Sequence, residues 1–516
     1  HEKYDNILPN GSDNDREEMI VELIGAKMEL EKEIDYNALL EEGKLNYDLI
    51  KHLLELELFR MNEIATWRSG TENAAGPIST IGDAIYLLYV REFAPLETRV
   101  KSIIERLKAS PQYLEESKTT WQFPVKLWTD LAIDEAPRTI SFLQYILQTL
   151  QPKITDGLYQ ELETAVNNTI EAFRNYAKWI KKEMSPKAKF PWSIGTQKFS
   201  RLILLRKLGK TPEEILKIGE KALLDTKNQL KDLAKELYPD KTVEEVREII
   251  KNDHPPTFEM VLEHVRELAN TTRTFIQEHN IMDVPKRENL KVVPTPSFLI
   301  PVIPFAAYMS PEKFSNDQTG HYLVTPIEER KEMLKEHSYA ACKNTAVHEG
   351  YPGHHLQLTA ANLQPNLIRS LGQGDESVEG WAHYCEQLMA EKGFLGKKEV
   401  FSQLIDQLWR AVRIIVDVKL HTGQMTFDEA KEFMIQEIGM DENAVVSELS
   451  WYTAQPGYPL SYLLGKLLLL EVRDHVKEKL GEKFTDQFFH NTFLESGGMP
   501  IHFLKRFFAI KMSEIK

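Results

Sequence analysis

Cysteine is nearly absent. The 516 residues hold two, Cys342 and Cys385. So few thiols, so far apart, exclude a disulfide scaffold and any zinc site of the paired Cys-x-x-Cys kind. Long apolar runs are also missing. The richest stretches, at 300–307 and 463–470, are interrupted by proline or lysine and fall well short of the roughly 20 residues a membrane-spanning helix needs. Basic charge is in deficit, with 63 Lys and Arg against 78 Asp and Glu for a net charge of −15. That balance argues against a nucleic-acid binder, which presents a basic face, and against docking on an anionic membrane. No internal repeat or low-complexity tract is present.

What is there is helical. With 42% hydrophobic residues and a mean hydropathy of −0.38, the chain has material for a substantial core. Segments at 16–30, 47–65, 96–108, 159–184 and 211–237 space apolar residues three and four apart between charged ones, the period of an amphipathic helix. Pro111, Pro152, Pro186, Pro191 and Pro239 read as breaks between them. Thr211-Pro212-Glu213-Glu214 and Thr242-Val243-Glu244-Glu245 read as helix starts, each with a capping threonine and acids in the first turn. Near 291 the pattern changes. Pro294, Pro296, Pro301 and Pro304 stand among β-branched and aromatic residues, and 320–325, GHYLVT, reads as a strand. Proline confines such strands to an edge. The expected architecture is mainly α, with a helical region over 1–290, a small β element at 291–326, further helices to 516, and a cleft between the helical halves.

The chemically informative segment is 345–357, TAVHEGYPGHHLQ. In the zinc motif H-E-x-x-H, two histidines one helical turn apart bind the metal and the glutamate activates water. Here the fifth position is Pro352, so that motif fails, and the run is His348-Glu349-Gly350-Tyr351-Pro352-Gly353-His354-His355. On a straight helix His348 and His355 would share a face but stand roughly 10 Å apart along the axis. Gly-Tyr-Pro-Gly breaks or bulges a helix, and a bulge would bring His348 and a later histidine onto one ion. The competing reading is a loop with incidental histidines. Downstream, Glu379, His383 and Glu386 recur along one helical segment with Trp381 and Tyr384. A carboxylate third ligand leaves a fourth zinc position open.

The stretches HEGYPGHHLQ and EGWAHYCEQL resemble the signatures of the family catalogued as domain of unknown function 885, similar in turn to zinc-dependent peptidases. More distantly they resemble helical metallocarboxypeptidases and oligopeptidases with the motif H-E-F-G-H. The resemblance implies a zincin-like helical body in which His348, His354 and Glu379 hold Zn²⁺ and Glu349 is the general base. Two inserted residues leave His354 and His355 as alternatives for the second ligand; the other would touch substrate or support a ligand. By the same resemblance Glu386 would orient a ligand histidine. A further block, RIIVDVKLH, puts Asp417 and His421 on a cleft-lining face, with His421 as a candidate to steady the oxyanion. Arg410 and Arg413 are candidates to clamp a substrate carboxylate by paired hydrogen bonds, as in a carboxypeptidase; an acidic site for the substrate amine would instead make an aminopeptidase. In SWYTAQPGYPLSYLLGK, Tyr452 and Tyr462 are the candidate oxyanion donors.

The implied activity is hydrolysis of short peptides. Alternatives are hydrolysis of non-peptide amides or esters, and metal or peptide binding without turnover. The two cysteines read as small apolar residues. Low cysteine use points to the cytoplasm. Because the first residue is His1 rather than Met, an exported form with its signal peptide removed stays open.

Overall fold

The computed structural model describes residues 2–71, 76–296, 299–300, 303, 305–326 and 331–514; Pro301 and Pro304 lie outside the described residues. The architecture is mainly α-helical with one small three-stranded sheet. The chain forms two compact units, and neither is one stretch of sequence. The first comprises His1–Lys32, Leu56–Ile194 and Glu448–Gln455, the second Glu33–Glu55, Gly195–Ser447 and Pro456–Lys516. Residues 195–290, expected with the N-terminal region, group with the second unit.

In the first unit, Pro77–Val90, Leu96–Ser117, Lys126–Leu150 and Asp156–Trp179 pack as long helices. Their inward faces bury Ile81, Ile103, Leu107, Leu143, Val166 and Phe173, each burial favouring the fold by about 1.5–3 kcal/mol. Pro111 does not break its helix as the sequence suggests; it lies inside Leu96–Ser117. A proline deprives the carbonyl four residues earlier of its amide partner. Here that carbonyl, Leu107 O, accepts from the Thr169 hydroxyl of a neighbouring helix at 3.0 Å, a proton shared with Ala165 O at 2.9 Å. One buried hydroxyl lets the helix continue. The segment 448–455 joins this unit through Trp128, whose indole N–H donates to Thr453 Oγ1 at 3.0 Å.

In the second unit, Thr211 and Thr242 cap their helices with reciprocal bonds to Glu214 and Glu245, as their sequences indicate. The sheet has the order β1 (Glu288–Pro294), β3 (Gln318–Val324), β2 (Ala306–Met309), with β1 parallel and β2 antiparallel to β3. The central strand is proline-free, and Pro294 ends an edge strand, where its missing donor costs nothing. Val292, Tyr322 and Val324 pack with the helix Phe258–Glu278 and with Cys342 and Ala346. The sheet therefore backs the helix Tyr339–Glu349 that carries the first motif histidine.

Candidate metal centre

Two sequence features place His348 beside His354. The first helix stops at Glu349, and the second starts at His354. Across the break, Gly353 N–H donates to Val347 O at 3.0 Å, so four residues form a tight bulge instead of another turn. Gly353 is obligatory here, because a Cβ would strike the backbone carbonyls of His348 and Val347. Trp381 pins the bulge from the next helix, with its indole N–H on Pro352 O at 2.8 Å and its ring stacked on Phe493 at 4.4 Å. The outcome is a pair of perpendicular imidazoles, His348 and His354, with ring centroids 4.8 Å apart.

Glu379 comes from the helix Asp375–Glu391, which is buried on nearly every side. It packs against Ser461–Leu480 with Gly380 facing Gly465. A Cβ on either glycine would collide with the other helix's backbone, so this crossing is closer than side chains allow. One ligand atom from each of His348, His354 and Glu379 lies within 4.8 Å of the other two, and no other group of three among the described residues does this. His354 Nε2 stands 3.4 Å from Glu379 Oε2. Zinc bonds of about 2.0–2.2 Å set tetrahedral ligand atoms about 3.4 Å apart.

The protonation pattern fits a cation. Glu386, fully buried, accepts from His348 Nδ1 at 2.7 Å, which leaves the Nε2 lone pair of His348 for a metal. Glu379 accepts the Tyr458 hydroxyl on Oε1 at 2.5 Å, while its buried Oε2 has no hydrogen-bond partner. Burial works against charge on Glu379, but the imidazoles of His354 and His348 and the Tyr458 hydroxyl outweigh it and bring its pKa down to about 2. Burial likewise opposes a charged His354, yet the Glu379 carboxylate wins and raises its pKa. A buried carboxylate oxygen that makes no hydrogen bond is costly. A cation between it and two imidazoles removes that cost.

Residues 1–507 match the model of one family, described as bacterial protein of unknown function (DUF885). The chain belongs to the DUF885 family. No functionally curated protein matches it. Solved structures that share its fold include two candidate lipoproteins. One is a candidate lipoprotein of unknown function from Shewanella oneidensis (TM-score 0.77, 19% identity, 97% of this chain and 93% of that one covered). The other is a candidate lipoprotein from Colwellia psychrerythraea (TM-score 0.84, 20% identity, 99% and 93% covered). Among the described residues no helix is long and apolar enough to cross a membrane.

The remaining candidate residues of this DUF885 chain divide into several groups. His355 faces away from the ion position, and both its nitrogens are engaged, Nδ1 with the Tyr308 hydroxyl at 2.9 Å and Nε2 with Glu288 Oε2 at 2.8 Å. Glu349 is partly buried, and its charge acts on His354. Arg410 and Arg413 stack on Trp409 at 5.1 and 4.3 Å and on Tyr462 at 5.9 and 4.5 Å. Tyr462 in turn meets the ring of Tyr458 at 6.0 Å, so this aromatic–cationic patch adjoins the Glu379 carboxylate. Tyr452 belongs to the first unit, where it is buried and donates to Glu448 at 2.6 Å.

Asp417 and His421, expected to line a cleft, are instead completely buried. His421 stacks on Phe199 at 5.9 Å, the surroundings of a core histidine. Asp417 accepts the backbone N–H groups of Gly457 and Leu460 at 3.0 and 3.2 Å and so holds the loop that carries Tyr458. Both thiols are inert: burial pushes Cys342 up to about 12 and raises Cys385 well above its ordinary value, the reverse of an activated nucleophile. Sequence reading missed Tyr458 and Arg206. The nearest signal for the first was its place in the Pro-Gly turn, QPGYP; for the second there was none.

Proposed function

We propose that this chain is a zinc-dependent peptidase of short peptides. The observation that carries the reading is the convergence of His348, His354 and Glu379 on one buried point, with Glu349 directly following the first histidine. His348, His354 and Glu379 would hold a zinc ion, which when bound would supply Lewis-acid polarisation of the scissile carbonyl and a lowered pKa for water. Glu349 takes the proton from the attacking water and passes it to the leaving amine. Glu386 keeps His348 in the tautomer that points Nε2 inward. Arg410 and Arg413, preset by stacking on Trp409 and Tyr462, hold a substrate carboxylate. A purely structural zinc site has no use for a carboxylate next to its first histidine, which favours turnover over passive binding.

The test is Glu349→Gln assayed on a mixed peptide library. Zinc content should stay at one per chain, while hydrolysis falls by about 10²–10⁴-fold, the usual contribution of a general base. Zinc-loaded wild type that cleaves ester or non-peptide amide panels but no peptide would sink the peptidase reading. We also propose an exported location, since both structural relatives are described as candidate lipoproteins; the cytoplasmic expectation has no support from them. Recovery of the native protein in the cytosolic fraction would count against export.

A further inference from the structure

The Tyr458 hydroxyl donates to Oε1 of the Glu379 carboxylate at 2.5 Å, and Oε2 is left facing His354 at 3.4 Å. A carboxylate with one oxygen bound to a phenol has the other to offer a metal. The position of that phenol is set by a buried network. Asp417 holds the two backbone N–H groups that flank Tyr458, those of Gly457 and Leu460. Arg206, 3% exposed at its side chain, donates to the Gly457 carbonyl and to Ser461 Oγ at 2.9 Å. The same guanidinium pairs with Glu376 at 2.5 Å and Asp375 at 3.5 Å. Those acids form the first turn of the helix that carries Glu379. One guanidinium therefore holds both the loop that supplies the donor and the helix that supplies the acceptor. Gly457, at φ +82°, makes room for it, since a Cβ there would lie 2.7 Å from Arg206 Nη1.

We propose that Tyr458 and Arg206 are positioning residues that restrict Glu379 to a one-oxygen metal ligand, Tyr458 by occupying Oε1 and Arg206 by registering loop against helix. This deepens the zinc reading and rests on it. Restricting the carboxylate keeps a coordination position open for substrate, which separates a catalytic centre from a closed structural one. It also replaces a costly arrangement, a buried carboxylate oxygen without a donor, by a satisfied one.

The experiment measures zinc affinity by chelator competition, and the visible spectrum of the cobalt-substituted protein, for wild type, Tyr458→Phe, Arg206→Lys and Tyr384→Phe. The last removes a buried phenol on Glu379's own helix that bonds His490 instead of a ligand, and so reports general loss of packing. Apo-protein melting is followed for each variant. Tyr458→Phe and Arg206→Lys should bind zinc about 10–100-fold more weakly, as loss of a supporting partner generally does. In Tyr458→Phe the cobalt band should weaken, as it does when coordination number rises, while Tyr384→Phe keeps wild-type affinity and spectrum. Wild-type affinity and spectrum in Tyr458→Phe overturn the proposal; wild-type values in Arg206→Lys alone overturn the part assigned to the guanidinium. If wild type itself binds neither metal, the zinc reading fails first and this inference with it.

Discussion

The Gly380–Gly465 crossing gives a sharp test of how the Glu379 helix is placed. In Gly380→Ala the new Cβ would lie 2.7 Å from Gly465 Cα, and ordinary contact begins at 3.4 Å. Backbone blocks it, so the two helices must part by at least about 0.7 Å, the difference of those two distances. Overpacking of this kind costs about 1–3 kcal/mol, and the better helix propensity of alanine returns about 1 kcal/mol. A net loss of up to about 2 kcal/mol is expected. Because Glu379 precedes Gly380, the displacement also exceeds the roughly 0.2 Å tolerance of metal–ligand distances, so zinc affinity should fall more than tenfold. The assay is denaturant unfolding of the apo protein beside chelator competition. Gly157→Ala is the control, since nothing lies within 4 Å of its Cβ position, and it should be neutral or slightly stabilising. Gly380→Ala with wild-type stability and affinity would refute the argument that close backbone packing sets the ligand's position.

Further outcomes follow from the same geometry. His355→Ala should lower stability by about 1–3 kcal/mol, because Glu288 and Tyr308 each lose a buried partner, yet one zinc per chain should persist; metal analysis and melting together check this. Thr169→Val should cost about 1–2 kcal/mol by leaving Leu107 O unsatisfied. That loss should shrink in a Pro111→Ala background, where an amide is restored, as a double-mutant cycle would show. Asp486 is held down to about 2: burial would raise it, but Lys392 and Arg473 outweigh burial. A depressed carboxylate stabilises the fold above its unfolded value of 3.8 and loses that contribution as pH falls toward 2. After discounting for its exposure, Asp486→Asn should cost about 1 kcal/mol at pH 7, with the two proteins converging near pH 2 in urea titrations.

Where local chemistry decides structure, the sequence was readable. Thr211 and Thr242 announce their helices because a capping box is a four-residue device. Pro294 announces an edge strand because proline lacks a donor. The pairing of His348 with a later histidine followed from the need for Gly-Tyr-Pro-Gly to interrupt a helix. Which histidine it would be did not follow, since that depends on Glu288 and Tyr308, 67 and 47 residues from His355 in sequence, capturing its two nitrogens. Pro111 was misread for a similar reason: its rescue by Thr169 lies on another helix. Arg206 is 251 residues from the Gly457 carbonyl it holds, and no spacing rule reaches that far. Asp417 reads as a cleft residue only through the resemblance of RIIVDVKLH to a family block, which carries no information about what the side chain meets. Its backbone partners, Gly457 and Leu460, leave no side-chain pattern to read.

The proposed function stands on His348, His354 and Glu379 holding one zinc ion. The most direct measurement is zinc content by inductively coupled plasma mass spectrometry, on protein purified without an affinity tag, for wild type and for His348→Ala, His354→Ala, His355→Ala and Glu379→Ala. About one zinc per chain is expected in wild type and His355→Ala, with loss in the other three. Zinc retained in His354→Ala but lost in His355→Ala would contradict the ligand set. No zinc in reconstituted wild type would contradict the claim itself.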